Sequence, residues 1–229
     1  MSRRQVVAGA VIVIGLLIGG LAWYVLGGDA PAKPTLGPAT SATAAGPATA
    51  DGSWRIAPGD GVYVGYRVTE VFGGDMVRKT AVGRTGSVEG TMTIVGGRVT
   101  QARVSADLRR LESDRRTRDT YIRSHGLESD RFPIATYLLT EPIVLDPPPA
   151  KGTERRVTAM GTLTLHGITR ALRLELQARW DGPSIRVVGS SPLAFADFGI
   201  EPPNTSVVKV DAIGAFELAL TYVPGAPGT

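Results

Sequence analysis

The residues of this 229-residue chain with most capacity for chemistry are gathered in one stretch. Seven arginines lie between Arg109 and Arg131, interleaved with Glu112, Asp114, Asp119, Glu128 and Asp130, and Ser124 stands beside His125. A serine and a histidine can act as nucleophile and base only if their side chains meet, and adjacent residues on a helix point in different directions, which argues against a hydrolase. His125 and His166 are the only histidines and cysteine is absent, so a zinc site would need carboxylates to complete it. Asp197-Phe198-Gly199 matches a kinase tripeptide, but the glycine-rich phosphate loop and the catalytic-loop motif are missing, and it reads as a turn at a strand end. His166, just before Gly167, reads first as a strand-end residue with a satisfied hydrogen bond and only secondarily as a ligand contact. The arginine cluster carries a net charge of only +2, whereas nucleic-acid binding calls for an uncompensated basic face. An ion-paired, solvated surface is the simpler reading, with one or two arginines free to meet a ligand's anionic or polar head group. No catalytic residue, metal, cofactor or nucleic-acid partner is expected.

The elements that must position these residues are mostly strands. Val208, Val210, Ala212, Gly214, Phe216, Leu218, Leu220 and Tyr222 alternate with residues that include Lys209, Asp211, Glu217 and Thr221, one apolar and one largely polar face over fifteen residues. Leu172 to Trp180 repeats the pattern, as do Val62 to Val68 and Ala102 to Leu108. Gly73-Gly74, Gly96-Gly97 and Asp181-Gly182 supply turn signals for antiparallel connections. Long twisted sheets leave costly edges, and closure into an up-and-down barrel of about eight strands removes them and leaves room for one small ligand. Periodicity leaves a filled core or a two-sheet sandwich open as alternatives. The stretch from Leu111 to Pro133 breaks the pattern. Ser113 or Asp114 can cap a short helix there, Gly126 can end it, and Tyr121 with Ile122 forms its one apolar patch, as a lid across a barrel end would.

The amino-terminal part is different in kind. Residues 6–26 contain no charge, and as a helix they span roughly 31 Å, close to a bilayer's hydrocarbon core. A cleaved signal peptide has a shorter apolar stretch, and the only Ala-x-Ala-like site, at Ala30 and Ala32, is interrupted by Pro31. Arg3 and Arg4 precede the span and Trp23 and Tyr24 end it, which places the amino terminus in the cytoplasm; the same arginines suggest a twin-arginine signal less well, because Val6 and Val7 follow. Residues 27–52 hold five Gly, four Pro, eight Ala and four Thr, with Leu36 the only large apolar side chain, and read as an extended, semi-flexible tether.

Several of these residues carry a resemblance. Arg118-Asp119-x-x-Ile122-Arg123-Ser124, then Phe132-Pro133, then Gly161-Thr162-Leu163-Thr164-Leu165-His166-Gly167-Ile168-Thr169 are similar to the two signature stretches of the YceI-like family, with Trp54-x-Ile56 and Asp197-Phe198-Gly199-Ile200 in the family's order. The resemblance implies a lipocalin-like antiparallel barrel of eight strands with a long apolar channel for polyisoprenoid chains or related amphiphiles, in an exported protein with no shared catalytic mechanism. Glu70 stands where that family's first strand often ends in His, and Phe195 where an Arg often precedes the Asp-Phe-Gly, so head-group recognition does not transfer.

The whole chain therefore reads as an all-β protein: a short cytoplasmic tail over 1–5, a transmembrane helix over 6–26, a flexible linker over 27–52, an eight-stranded lipocalin-like barrel with a lid over 53–224, and a tail over 225–229. Its expected place is the cytoplasmic membrane, crossed once, with the barrel outside. Val64, Tyr66, Val68, Met92, Ile94, Val104, Leu108, Leu138, Leu174, Leu176, Phe216 and Leu218 are expected to line the channel, and Arg118 and Asp119 to order the lid or meet the head group of a polyisoprenoid or quinone-like lipid. The alternative is a ligand-free barrel that serves as a protein-interaction module. The net charge of +4 says little about partners, because acids and bases are interleaved.

Overall fold

Alternating sequence becomes strand almost everywhere it occurs. The computed structural model describes residues 30–38, 47–73 and 77–225. Within them lie β1 (Gly52–Ile56), β2 (Tyr63–Phe72), β3 (Val77–Thr85), β4 (Val88–Val95), β5 (Arg98–Asp107), β6 (Glu112–Ser113), α1 (Arg116–Tyr121), β7 (Ile134–Leu139), β8 (Ile143–Val144), β9 (Glu154–Leu165), β10 (Ile168–Trp180), β11 (Ile185–Ala194), β12 (Val208–Val210) and β13 (Ile213–Pro224). Eight of these close an antiparallel barrel in the order β1-β4-β5-β7-β9-β10-β11-β13, with β13 returning to β1 through Trp54↔Pro224, Arg55↔Val223 and Ile56↔Tyr222. The edge of β13 that meets β1 also pairs with β2 from Ala215 to Ala219, and β2 carries β3 and then β6. One strand edge thus serves two partners.

The turns follow from local chemistry. Gly96-Gly97 joins β4 to β5 and His166-Gly167 joins β9 to β10, and all four residues have positive φ, as two-residue hairpin loops require. Trp54, almost fully buried, donates from its indole nitrogen to the Ala50 carbonyl at 2.9 Å and anchors β1 to the core.

Three expectations are corrected. The fifteen-residue alternation over 208–222 is two strands, β12 and β13, interrupted at Asp211 and Ala212. From Val210↔Glu70 to Ala215↔Arg67 one strand advances five positions while the other advances three, an irregularity that adds two residues and so preserves the apolar phase while breaking the ladder. Leu138 points outward and is 41% exposed; Tyr137, opposite Val104, takes the inward position, and strand alternation puts the next residue on the other face. The helix starts at Arg116, later than a cap at Ser113 or Asp114 implies, and its N-cap residue Arg115 makes no capping side-chain bond.

Residues 30–38, counted above in the tether, lie on the barrel's outer wall as a strap. Arg67 donates to the Pro31 carbonyl at 2.7 Å, Arg84 to Ala32 at 2.9 Å, Arg186 to Leu36 at 3.4 Å, and Arg179 to Gly37 and Pro38, each at 3.0 Å. These arginines stand on β2, β3, β11 and β10, so the strap runs across the strands, and Leu36 is buried beneath it. Backbone carbonyls do the binding, which is why a segment poor in apolar side chains can dock. Under the strap Glu217, 0% exposed, accepts from Arg67, and Arg179 pairs with Asp181 at 2.7 Å, both side chains 2% exposed. The span expected over 6–26 lies outside the described residues; among those described, no helix is long and apolar enough to cross a membrane.

Candidate functional site: a divided apolar channel

The inward faces of the strands do not fill the barrel. Two cavities run along its interior, one of about 140 Å³ beneath the lid and one of about 110 Å³ toward the opposite end. Phe216, the fourth residue of β13, lines both and stands between them.

The lid-end chamber is walled by Val64, Tyr66, Val68 and Leu108 from the expected set, together with Leu111, Leu163, Leu165, Leu193 and Phe195. Its roof is α1 and the π-helical turn that continues it, Ile122–Gly126, which contribute Tyr121, Ile122 and Gly126, followed by Leu127. The far chamber takes Met92, Ile94, Val104, Leu174, Leu176 and Leu218 from the expected set, and adds Tyr137, Trp180, Ile185, Val187, Leu220 and Tyr222. Of the apolar residues singled out from the sequence, only Leu138 faces away. Trp180, Leu220 and Tyr222 sit in phase with the alternation already read there; Tyr137 and Leu193 belong to strands whose alternation is too short or too mixed to have been read.

The lid is held by polar contacts. Arg118 donates from Nε and Nη2 to the two carboxylate oxygens of Glu70 on β2, each at 2.7 Å, and from Nη1 to Asp114 and, at 3.1 Å, to the Ser113 hydroxyl. Asp119 does not line a chamber. It is buried and accepts from the Ser113 backbone N–H at 3.0 Å and hydroxyl at 2.6 Å, tying the helix to the strand before it. Glu70, a departure from the family's pattern, is therefore the lid arginine's partner, and Phe195, the other departure, adds an aromatic wall. His166 secures the lid's far side: its Nδ1 donates to the Phe198 carbonyl at 2.9 Å, its Nε2 lies 3.5 Å from Glu128, and Phe132 meets it edge to face.

Ser124 and His125, expected from helix geometry to point apart, do meet. On the π-helical turn the Ser124 hydroxyl lies 2.8 Å from His125 Nδ1. The same hydroxyl donates to the Thr120 carbonyl at 2.9 Å. With that proton on the Thr120 carbonyl, the arrangement has the histidine nitrogen donating to the serine oxygen. Among the described residues no group of three His, Asp or Glu is placed to hold a metal.

Inside the channel three phenols, those of Tyr66, Tyr137 and Tyr222, are kept neutral. Burial pushes Tyr137 up to about 12 and raises Tyr66 and Tyr222 as well. A phenol that ionises less readily folded than unfolded contributes stability that is present below pH 10 and is lost as pH rises through the folded value. Titrating the protein from pH 9 to 12 while following tyrosinate absorbance is therefore expected to show these phenols ionising only together with loss of the β-sheet circular dichroism. Smooth ionisation of all tyrosines near pH 10 in a folded protein would contradict the buried placement.

A model of the YceI-like domain matches residues 54–221. Among solved structures, the chain resembles a polyisoprenoid binding domain from Saccharophagus degradans implicated in plant cell wall breakdown, with a TM-score of 0.56 and 17% identity over 75% of this chain and 98% of that one. It also resembles BcnA from Burkholderia cenocepacia, with a TM-score of 0.52 and 14% identity over 68% of this chain and 95% of that one. At such identities the likeness is one of fold. A UPF0312 protein of Vibrio vulnificus strain YJ016 is 34% identical over 110 residues, 45% of this chain and 54% of that protein, so the chain spans about half the length of the curated relatives it matches.

Proposed function

Because this chain belongs to the YceI-like family, we propose that its barrel binds a polyisoprenoid or similar amphiphile and carries, stores or sequesters it in the cell envelope, held to the cytoplasmic membrane by residues 6–26 with the barrel on the outer side. The observation that carries the binding part is the divided channel: two cavities lined almost wholly by aliphatic and aromatic side chains, one above the other along the barrel. A filled barrel, as the interaction-module alternative requires, has no such space. Burying apolar chain there contributes about 25 cal/mol per Å² before ordering costs. The fold's likeness to a polyisoprenoid binding domain supports the choice of chain chemistry. Support for the tether is the charge-free length of residues 6–26, which is enough for one crossing.

One preparation tests both halves. The full chain is expected to stay in membranes through carbonate washing and to come out only with detergent. Native mass spectrometry of that detergent extract is expected to show a prenyl lipid bound in near-stoichiometric amount. A chain released by carbonate would sink the tether, and a ligand-free barrel that also rejects added prenyl lipids would sink the carrier.

A further inference from the structure

The two ends of the channel differ in what their arginines are free to do. At the lid, Arg118 is spent: Glu70 occupies two of its N–H groups, and Asp114 and Ser113 take two more. With two carboxylates on one guanidinium, no positive charge is left over for a ligand. Arg155 is the opposite case. It lies near the start of β9 opposite Ala178, on the inward face of the wall, and lines the far chamber with Thr153, Pro149 and Trp180. Its Nε is closed off from solvent and has no hydrogen-bond partner, and among the described residues it is paired with no carboxylate. Glu154, its neighbour in the chain, and Asp181 both pair with Arg179. Arg155 is partly buried, and its Nε is a desolvated donor facing an apolar chamber, so an anion supplied by a ligand would satisfy it with a charge-assisted hydrogen bond.

We propose that Arg155 is the head-group site of the channel, and that it takes the oxyanion of an acidic prenyl lipid, a phosphate or a carboxylate, whose tail runs from the far chamber past Phe216 toward the lid. This rests on the lipid-binding reading above and adds to it the charge of the ligand and its direction in the barrel. The lid then closes over the tail, and its ion pairs serve to hold it shut.

The test is a competition on the full chain in detergent, read by native mass spectrometry, between geranylgeranyl monophosphate, geranylgeranoic acid and geranylgeraniol, which share a tail and differ in head. The wild-type protein is expected to prefer at least one of the two acids over the alcohol by about tenfold or more, the size of a charge-assisted hydrogen bond, and which acid wins identifies the head group. In Arg155→Met the ratio of that acid to the alcohol is expected to fall toward one, and in Arg155→Lys to recover in part. Arg155→Gln provides a second neutral variant should the Met variant fail to fold. Equal binding of acid and alcohol by the wild type, or an acid preference that survives in both neutral variants, overturns the proposal and leaves lipid binding standing. Failure of all three lipids to bind removes the lipid-binding reading itself, and this proposal with it.

Discussion

Replacing Arg179 with Met is expected to destabilise the barrel by about 3–5 kcal/mol, because it leaves the Asp181 carboxylate buried with no counter-charge. For a protein of this size that corresponds to a fall in melting temperature of roughly 10 °C. The substitution also removes the two hydrogen bonds that hold Gly37 and Pro38, so the strap becomes open to limited proteolysis at residues 30–38. The two effects can be separated. In the double variant Arg179→Met with Asp181→Leu the orphaned charge is gone, and apolar replacement of a buried ion pair is often neutral. Most of the stability is then expected to return while the strap remains cleavable. A melting temperature in Arg179→Met within a degree of wild type would mean that the pair and the strap contribute nothing to the fold.

Phe216 carries the second large effect, on binding. Its ring is shared by both chambers, and its cross-strand neighbours are Tyr66 on β2 and Ser191 on β11. Phe216→Ala is expected to fuse the chambers, at a cost of about 2 kcal/mol, below that of a fully enclosed phenylalanine because the ring already borders empty space. An added isoprene unit brings about five carbons, each worth close to 0.8 kcal/mol when buried and before ordering costs, so the preference between a 20-carbon and a 40-carbon chain is expected to move toward the longer one by at least tenfold. Phe216→Trp is expected to move it the other way. Displacement binding measured with the two chain lengths on both variants checks this. Identical chain-length preference in Ala and Trp variants would show that Phe216 is wall and not divider.

Much of the architecture was legible because a strand's two-residue period writes itself directly into side-chain polarity. Leu174, Leu176 and Leu218 could be placed inside from that alone, and Gly96-Gly97 could be placed at a turn because few residue types tolerate its backbone. What escaped had physical reasons. The strap docks by its carbonyl oxygens, which every residue has, so nothing in the composition of residues 30–38 distinguishes a bound strap from a free tether. The break between β12 and β13 adds an even number of residues, and an even insertion is invisible to a period of two. Leu138 and Tyr137 are both apolar, and on a short strand two adjacent apolar residues do not reveal which faces in. Ser124 and His125 meet on a turn wound as a π-helix, which reasoning from α-helical geometry does not cover. At the site, the chemistry of Arg118 could not be separated from that of Arg155 by sequence, since the difference lies wholly in the acids that surround each.

The strap also bears on how the protein responds to mechanical load. A pull applied from the amino-terminal side meets first the grips of Arg67 and Arg84 on Pro31 and Ala32, then that of Arg186 on Leu36, and then the two bonds from Arg179. Under such a load these are expected to yield one after another, as a row of stitches does, each releasing the chain up to the next grip. Only afterwards does tension reach β1, which is clamped on both edges, with three register pairs to β13 and four to β4. The chain thus has a graded shock absorber ahead of the strand whose loss would open the barrel.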